Sequence, residues 1–283
     1  MVLECSLRCA SLLIVLLSAA VVTLGSVERG GASLPSPPKQ CGNTTTYCPA
    51  TATCCTHEYS PSGFGCELSS FPSTCCKPGP KLSPSIQSKN CLVIGDSVSI
   101  GYTYFTTKAL SEECIVQHGP YDVQDGGAED TAYGVTCLDN WLVTQAQQPV
   151  SWDVITFNFG LHNLNQSEEE EAKYRSQLSN ITARLSEIRS KHNTRLLYVT
   201  TTPFMPDDHF GHLITNDLNA IARDVVHGHV DEVVDLHRVV TDHCGQNYTD
   251  CDWCRVHPCY LHYNEDGEAA QGKFVAEAIR RHL

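Results

Sequence analysis

The chain has 283 residues, with 32 acidic and 19 basic side chains, a formal net charge of −13, 41% hydrophobic residues and 16 cysteines. So negative a chain repels polyanions, which argues against nucleic acid or an anionic membrane face as a partner. The cysteine content points to an oxidising compartment, where disulfides persist.

Residues 1–26 read as a cleavable leader. Arg8 supplies a positive n-region, 10–24 an apolar h-region, and small residues follow at Gly25, Ser26 and Ala32. The run is shorter than the roughly 20 apolar residues of a membrane span, and no second run follows. The expectation is a secreted, extracellular protein with no membrane span. Cys5 and Cys9 leave with the leader, so 14 cysteines remain, an even number whose connectivity is open. Acceptor sequons at Asn43, Asn165, Asn180 and Asn247 fit passage through a glycosylating pathway.

Residues 41–76 hold seven cysteines, including the doublets Cys54-Cys55 and Cys75-Cys76, and few large aliphatics, so this stretch needs covalent staples in place of a core. Its pattern of Cys41, Cys48-Pro49, Thr53-Cys54-Cys55, Gly63-Phe64-Gly65-Cys66 and Thr74-Cys75-Cys76 resembles part of a granulin module. It departs from that pattern at Glu67, where granulins carry the second cysteine of a doublet. Seven cysteines remain between Cys91 and Cys259, so either one bridge joins the two regions, with Cys91 a candidate, or each keeps a free thiol. Paired C-x2-C spacing, which would argue for zinc, is absent from the module. Residues 77–89, with Pro78, Pro80, Pro84 and several serines, read as a linker.

From 90 to 283, apolar strands alternate with helical patterns, which predicts one α/β domain with a parallel sheet flanked by helices. Strands are expected at 91–94, 154–159, 196–201 and 232–236. A long helix is expected at 166–191: Ser167 as N-cap, Glu168 to Glu171 at the positive end of the dipole, and Tyr174, Leu178, Ile181, Leu185 and Ile188 at helical spacing. Shorter helices are expected at 216–226 and 267–281.

Gly95-Asp96-Ser97 ends the first of these strands, where a tight turn projects a hydroxyl. Near the C-terminus, His262-Tyr263-Asn264-Glu265-Asp266-Gly267 opens the last helix with an imidazole. A free serine hydroxyl is a weak nucleophile at neutral pH and needs such a base.

Over 90–283 these residues resemble the SGNH, or GDSL-like, hydrolase family, which implies a flavodoxin-like three-layer fold and a serine hydrolase site. Gly95-Asp96-Ser97-Val98-Ser99-Ile100-Gly101 matches the family's nucleophile block. Gly126 or Gly127, in Asp125-Gly126-Gly127-Ala128-Glu129-Asp130-Thr131, stands for the oxyanion glycine, although loop glycines are common. In Asn158-Phe159-Gly160-Leu161-His162-Asn163, His162 takes the place of the family's oxyanion asparagine, and a neutral imidazole still has one N–H to donate. Asn163 fills that role instead if the turn shifts by one residue, or it caps a helix; His162 is preferred.

His262 matches the family's base, with glycine five residues on, but Cys259 replaces the aspartate three residues before it. The third group is then Asp252, if the cysteines fold the loop back, or a backbone carbonyl, which leaves a Ser-His dyad. His257-Pro258 is a competing base that lacks the trailing glycine. The spacing of Cys244, Cys251, Cys254 and Cys259 favours two disulfides over zinc in an exported chain. Cys114 and Cys137 are further disulfide candidates. Close histidine pairs at His209 with His212 and His227 with His229 lack a carboxylate at ligand spacing, so no metal is expected.

The resemblance implies acyl transfer without a cofactor. His262 deprotonates Ser97, which attacks an ester carbonyl. The N–H groups of Ser97 and Gly127, together with His162, bind the oxyanion, each such donor contributing about 3–4 kcal/mol. The substrate class is an ester on a glycan or a lipid, with a carbohydrate O-acetyl ester the mild favourite. A degenerate binding protein and a granulin-like signal are the alternatives. Oligomeric state is not legible.

Overall fold

The structure is a computed structural model. It describes residues 76–77, 79–81, 88–121, 126–146, 148–164, 167–204, 211–245 and 250–283, plus the backbone of 39–40, 47–48, 53–56 and 64–67; for 211–213 only the backbone is described. The leader therefore lies outside the described residues, as do the sequons at Asn43, Asn165 and Asn247. Just before and within the cysteine-rich region, β1 (Lys39–Gln40) pairs antiparallel with β2 (Tyr47–Cys48), and β3 (Thr53–Thr56) with β4 (Phe64–Glu67).

The apolar runs become β5 (Lys89–Ile94), β6 (Cys114–Gly119), β7 (Val154–Phe157), β8 (Arg195–Val199) and β9 (Glu232–Val234), a wholly parallel sheet in the order β6-β5-β7-β8-β9. This is the flavodoxin-like order, and β5, flanked by β6 and β7, marks its switch point. Side chains alternate across the strands and divide the core in two. Leu92, Ile94, Ile155, Phe157, Leu196 and Tyr198 pack under α2 (Thr131–Trp141), α3 (Glu168–His192) and α4 (Gly211–Val226). Cys91, Val93, Val154, Leu197, Val199 and Val234 pack under α1 (Ser97–Ala109), α5 (Leu236–Cys244) and α6 (Glu265–Arg280). Covered on both faces, the inner strands β5, β7 and β8 are buried almost without a break, as expected of a parallel sheet. Each fully buried aliphatic or phenyl side chain contributes about 1.5–3 kcal/mol.

A short polar residue starts almost every helix by accepting a first-turn N–H. Asp96 does so for α1, Asp130 for α2, Ser167 for α3, Asp235 for α5 and Asn264 for α6. α1 and α6 cross closely because α6 has a glycine at the contact: a Cβ on Gly272 would meet the Tyr102 carbonyl oxygen at 2.6 Å. The expected strands and helices are present with ends moved by up to five residues, while β6, α1, α2 and α5 are additions.

Among the described residues, disulfides join Cys76 to Cys137, Cys91 to Cys114, Cys244 to Cys251 and Cys254 to Cys259. The bridge between the regions therefore runs through Cys76, not Cys91. Cys91 instead ties β5 to its neighbour β6. The start of the expected linker is also packed rather than free: Gly79 and Pro80 are buried, the Lys77 N–H donates to Tyr133 Oη at 2.7 Å, and the Gln145 N–H to the Pro80 carbonyl at 3.2 Å. Asn180 is exposed on α3. Among the described residues no helix is long and apolar enough to cross a membrane.

Candidate active site

Strand β5 stops at Ile94 because Gly95-Asp96 turns the chain sharply into α1, leaving Ser97 as the first residue of that helix. Its N–H is one of the orphan donors of a helix N-terminus, beside the positive end of the dipole. The Asp96 carboxylate accepts from the Val98 N–H at 3.0 Å and is buried, which pushes its pKa above the usual carboxylate range against the pull of the His162 imidazole.

Across the turn, Ser97 Oγ lies 2.8 Å from His262 Nε2. The loop that delivers His262 is folded back on itself. Cys254 pairs with Tyr263 in an antiparallel bridge, the Arg255 N–H donates to the His262 carbonyl at 3.0 Å, and the Asn264 N–H to the Trp253 carbonyl at 2.8 Å. The disulfides Cys244–Cys251 and Cys254–Cys259 fasten this hairpin. Burial, the Arg255 guanidinium and the His162 imidazole hold the His262 pKa below its ordinary value. Each of these favours the neutral ring that a general base requires.

The expected carboxylate partner is elsewhere. Asp252 Oδ1 sits 2.6 Å from His243 Nε2, and the Asp252 backbone carbonyl is taken by Asn264 Nδ2 at 2.6 Å. Folding the loop back brings Asp252 to α5 rather than to His262, because Cys244–Cys251 ties that arm of the loop to the end of α5. Among the described residues no carboxylate pairs with His262, and Cys259 is disulfide-bonded. His257 is exposed on the turn, while Ser97 lies against His262.

The 126–129 loop lies directly over the nucleophile turn. The Ala128 N–H donates to the Gly95 carbonyl at 2.8 Å, and a Cβ on Gly127 (φ +64°) would meet that oxygen at 2.5 Å. Only glycine fits, on grounds of both dihedral and space. Gly127 is buried, and among the described residues no group accepts its N–H. His162 is near enough to both Asp96 and His262 to act on their charges, and a Cβ on Gly126 would lie 3.4 Å from its ring.

Asn163 is committed otherwise. Its Oδ1 accepts from the Thr131 N–H at 3.2 Å, and its Nδ2 donates to Thr131 Oγ1 at 3.1 Å, so its amide spans to the start of α2 instead of serving as the oxyanion donor.

A second serine–histidine pair lies beneath the first. Ser99 Oγ is 2.6 Å from both His118 Nε2 and the Asp96 carbonyl, and burial pushes the His118 pKa down to about 4. Both residues are buried, so this pair braces the nucleophile turn. His243, Cys251 and Asp252 stand close together, but the disulfide takes the sulfur, leaving too few ligands for a metal. A cavity of about 770 Å³ lined by Arg189, Lys191, His192 and His229 includes Arg195, which begins β8, and so lies at the opposite end of the sheet from Ser97.

Sequence reasoning did not single out Lys77, Arg255 or His118. Lys77 lies outside the matched blocks, Arg255 resembles any exposed loop cation, and His118 belongs to the strand that was not anticipated.

A serine–histidine pair at the switch point of a 2-1-3-4-5 parallel sheet defines the class as a hydrolase of the SGNH kind. The chain belongs to the GDSL-like lipase/acylhydrolase family, whose model matches residues 93–270. No curated protein sequence matches it. Among solved structures it is similar to a lipase/acylhydrolase from Enterococcus faecalis, at 16% identity and a TM-score of 0.51, covering 68% of this chain and 96% of that one. It is also similar to an SGNH hydrolase candidate from Slackia heliotrinireducens, at 14% identity and a TM-score of 0.50, covering 68% and 100%. A third likeness is to an acetyl xylan esterase, at 14% identity and a TM-score of 0.50, covering 67% and 99%. These likenesses concern the fold.

Proposed function

We propose that the protein is a secreted serine esterase that cleaves carboxylic esters through an acyl-enzyme, with Ser97 as nucleophile and His262 as the side-chain partner of its hydroxyl. The observation that carries this reading is the 2.8 Å approach of Ser97 Oγ to His262 Nε2. The Ser97 proton passes to Nε2 as Oγ bonds to the ester carbonyl carbon. The oxyanion is received by the N–H groups of Ser97 and Gly127 and by His162. His262 then protonates the departing alcohol, and a water deprotonated by the same ring hydrolyses the acyl-enzyme.

Carbohydrate O-acetyl esters are the proposed substrates. Tyr260, two residues before His262, is exposed, and its ring meets the edge of Phe204 at 5.4 Å between centroids. An exposed aromatic beside the base offers a sugar ring an apolar face, and an acetyl group needs little acyl space. The disulfides among the described residues support export. We further read 41–76 as a granulin-like module, 77–89 as its junction and 90–283 as the esterase domain.

Purified protein assayed on p-nitrophenyl acetate and on acetylated oligosaccharides tests the reading, with fluorophosphonate labelling to locate the nucleophile. A non-catalytic binding protein, the reading favoured by Cys259 in place of a carboxylate, turns over neither substrate and takes no label.

A further inference from the structure

The 126–129 loop does not hold itself. Gly126, Gly127 and Glu129 all have positive φ, at +67°, +64° and +53°, and at Glu129 the side chain makes that conformation unfavourable. The peptide between Gly127 and Ala128 is pinned at both ends: its N–H by the Gly95 carbonyl at 2.8 Å, and its carbonyl by Lys77 Nζ at 3.1 Å. The same ammonium is 2.5 Å from Glu129 Oε1.

The Lys77 and Glu129 side chains are only 17% and 26% exposed, so the pair is poorly screened. Lys77 is itself immobilised. Its N–H donates to Tyr133 Oη at 2.7 Å, its Nζ lies 5.6 Å from the Tyr133 ring centroid, and the residue before it is bonded to Cys137 of α2. It also lies outside residues 93–270, the part of the chain that matches the family model.

We propose that Lys77 is a positioning residue for the oxyanion pocket, gripping the Gly127 carbonyl and the Glu129 carboxylate so that the Gly127 backbone stays packed against the Gly95-Asp96 turn, where its N–H can serve as a donor. The inference rests on the esterase reading and deepens it: the boundary between the cysteine-rich region and the linker, through Cys76 and Lys77, completes the site of the domain that follows. Without the ammonium, Glu129 keeps an unfavourable dihedral and a half-buried, unpaired carboxylate. The loop then relaxes and one oxyanion donor is lost.

Two measurements on the full mature chain test this. In steady-state kinetics on p-nitrophenyl acetate, Lys77→Met lowers kcat about 100-fold, the effect of one lost oxyanion donor, with KM within about threefold, and Lys77→Arg restores part of the loss. Glu129→Gln, which leaves Lys77 in place, lowers kcat in the same direction by about tenfold. In amide hydrogen exchange, the 126–130 segment of Lys77→Met exchanges faster than in wild type while β5 and β7 do not.

Unchanged kcat in both variants, or a loss confined to KM, overturns the proposal. So does unchanged exchange at 126–130. If wild-type protein hydrolyses no ester, the esterase reading fails, and the exchange experiment decides the clamp alone. If Lys77→Met does not fold, Glu129→Gln decides by both readouts.

Discussion

Asp252 Oδ1 lies 2.6 Å from His243 Nε2, and the His243 ring stacks on Trp253 with centroids 3.6 Å apart. The Asp252 side chain is 80% exposed, so the pair is a solvent-screened loop contact. Its carboxylate is thereby engaged away from His262, so the mechanism proposed above runs on a Ser97–His262 dyad.

Asp252→Asn therefore leaves kcat within about twofold of wild type, because an exposed ion pair contributes little. His243→Ala behaves alike. Steady-state kinetics on both variants check this. A loss of several orders of magnitude in Asp252→Asn alone would instead make Asp252 the orienting carboxylate.

Ser97→Ala removes the attacking atom and lowers kcat by about 10⁴-fold or more, with fluorophosphonate labelling lost in parallel. His262→Ala falls to a similar level, since the two act as a unit. His257→Ala, on an exposed turn, retains activity. Labelling that persists in Ser97→Ala would place the nucleophile elsewhere.

The acid limb of kcat/KM lies below pH 6.5, the ordinary imidazole value, because burial, Arg255 and His162 all lower the His262 pKa. The sign is direct: the base works neutral, and a lowered pKa keeps it neutral to lower pH. Arg255→Gln removes a cation, raises the His262 pKa and moves the limb upward. A pH–rate profile of the two proteins measures it.

His162→Ala lowers kcat about 10²–10³-fold with little change in KM, as expected for a donor engaged only in the transition state. Asn163→Ala acts through Thr131 and the start of α2, so its first effect is on the melting temperature. Thermal melting and kinetics on the pair separate the roles.

Much of this architecture follows from local pattern. The predominantly apolar runs around Leu92, Ile155 and Leu197 specify strands covered on both faces, and Ser167 with its glutamates specifies the start of α3, because periodicity and capping depend on neighbours in the chain. β6 escaped notice because its apolar residues are interrupted by Gln117 and His118, and its pairing with β5 is non-local. Ser97 and His262 were legible as residue types in characteristic turns. What only the tertiary structure decided is which groups share a site. Asp252 joins His243, Asn163 joins Thr131, Cys76 joins Cys137 and Lys77 reaches Gly127. Each of these contacts depends on how a loop returns across the end of the sheet, and a returning loop leaves no periodic trace in the sequence.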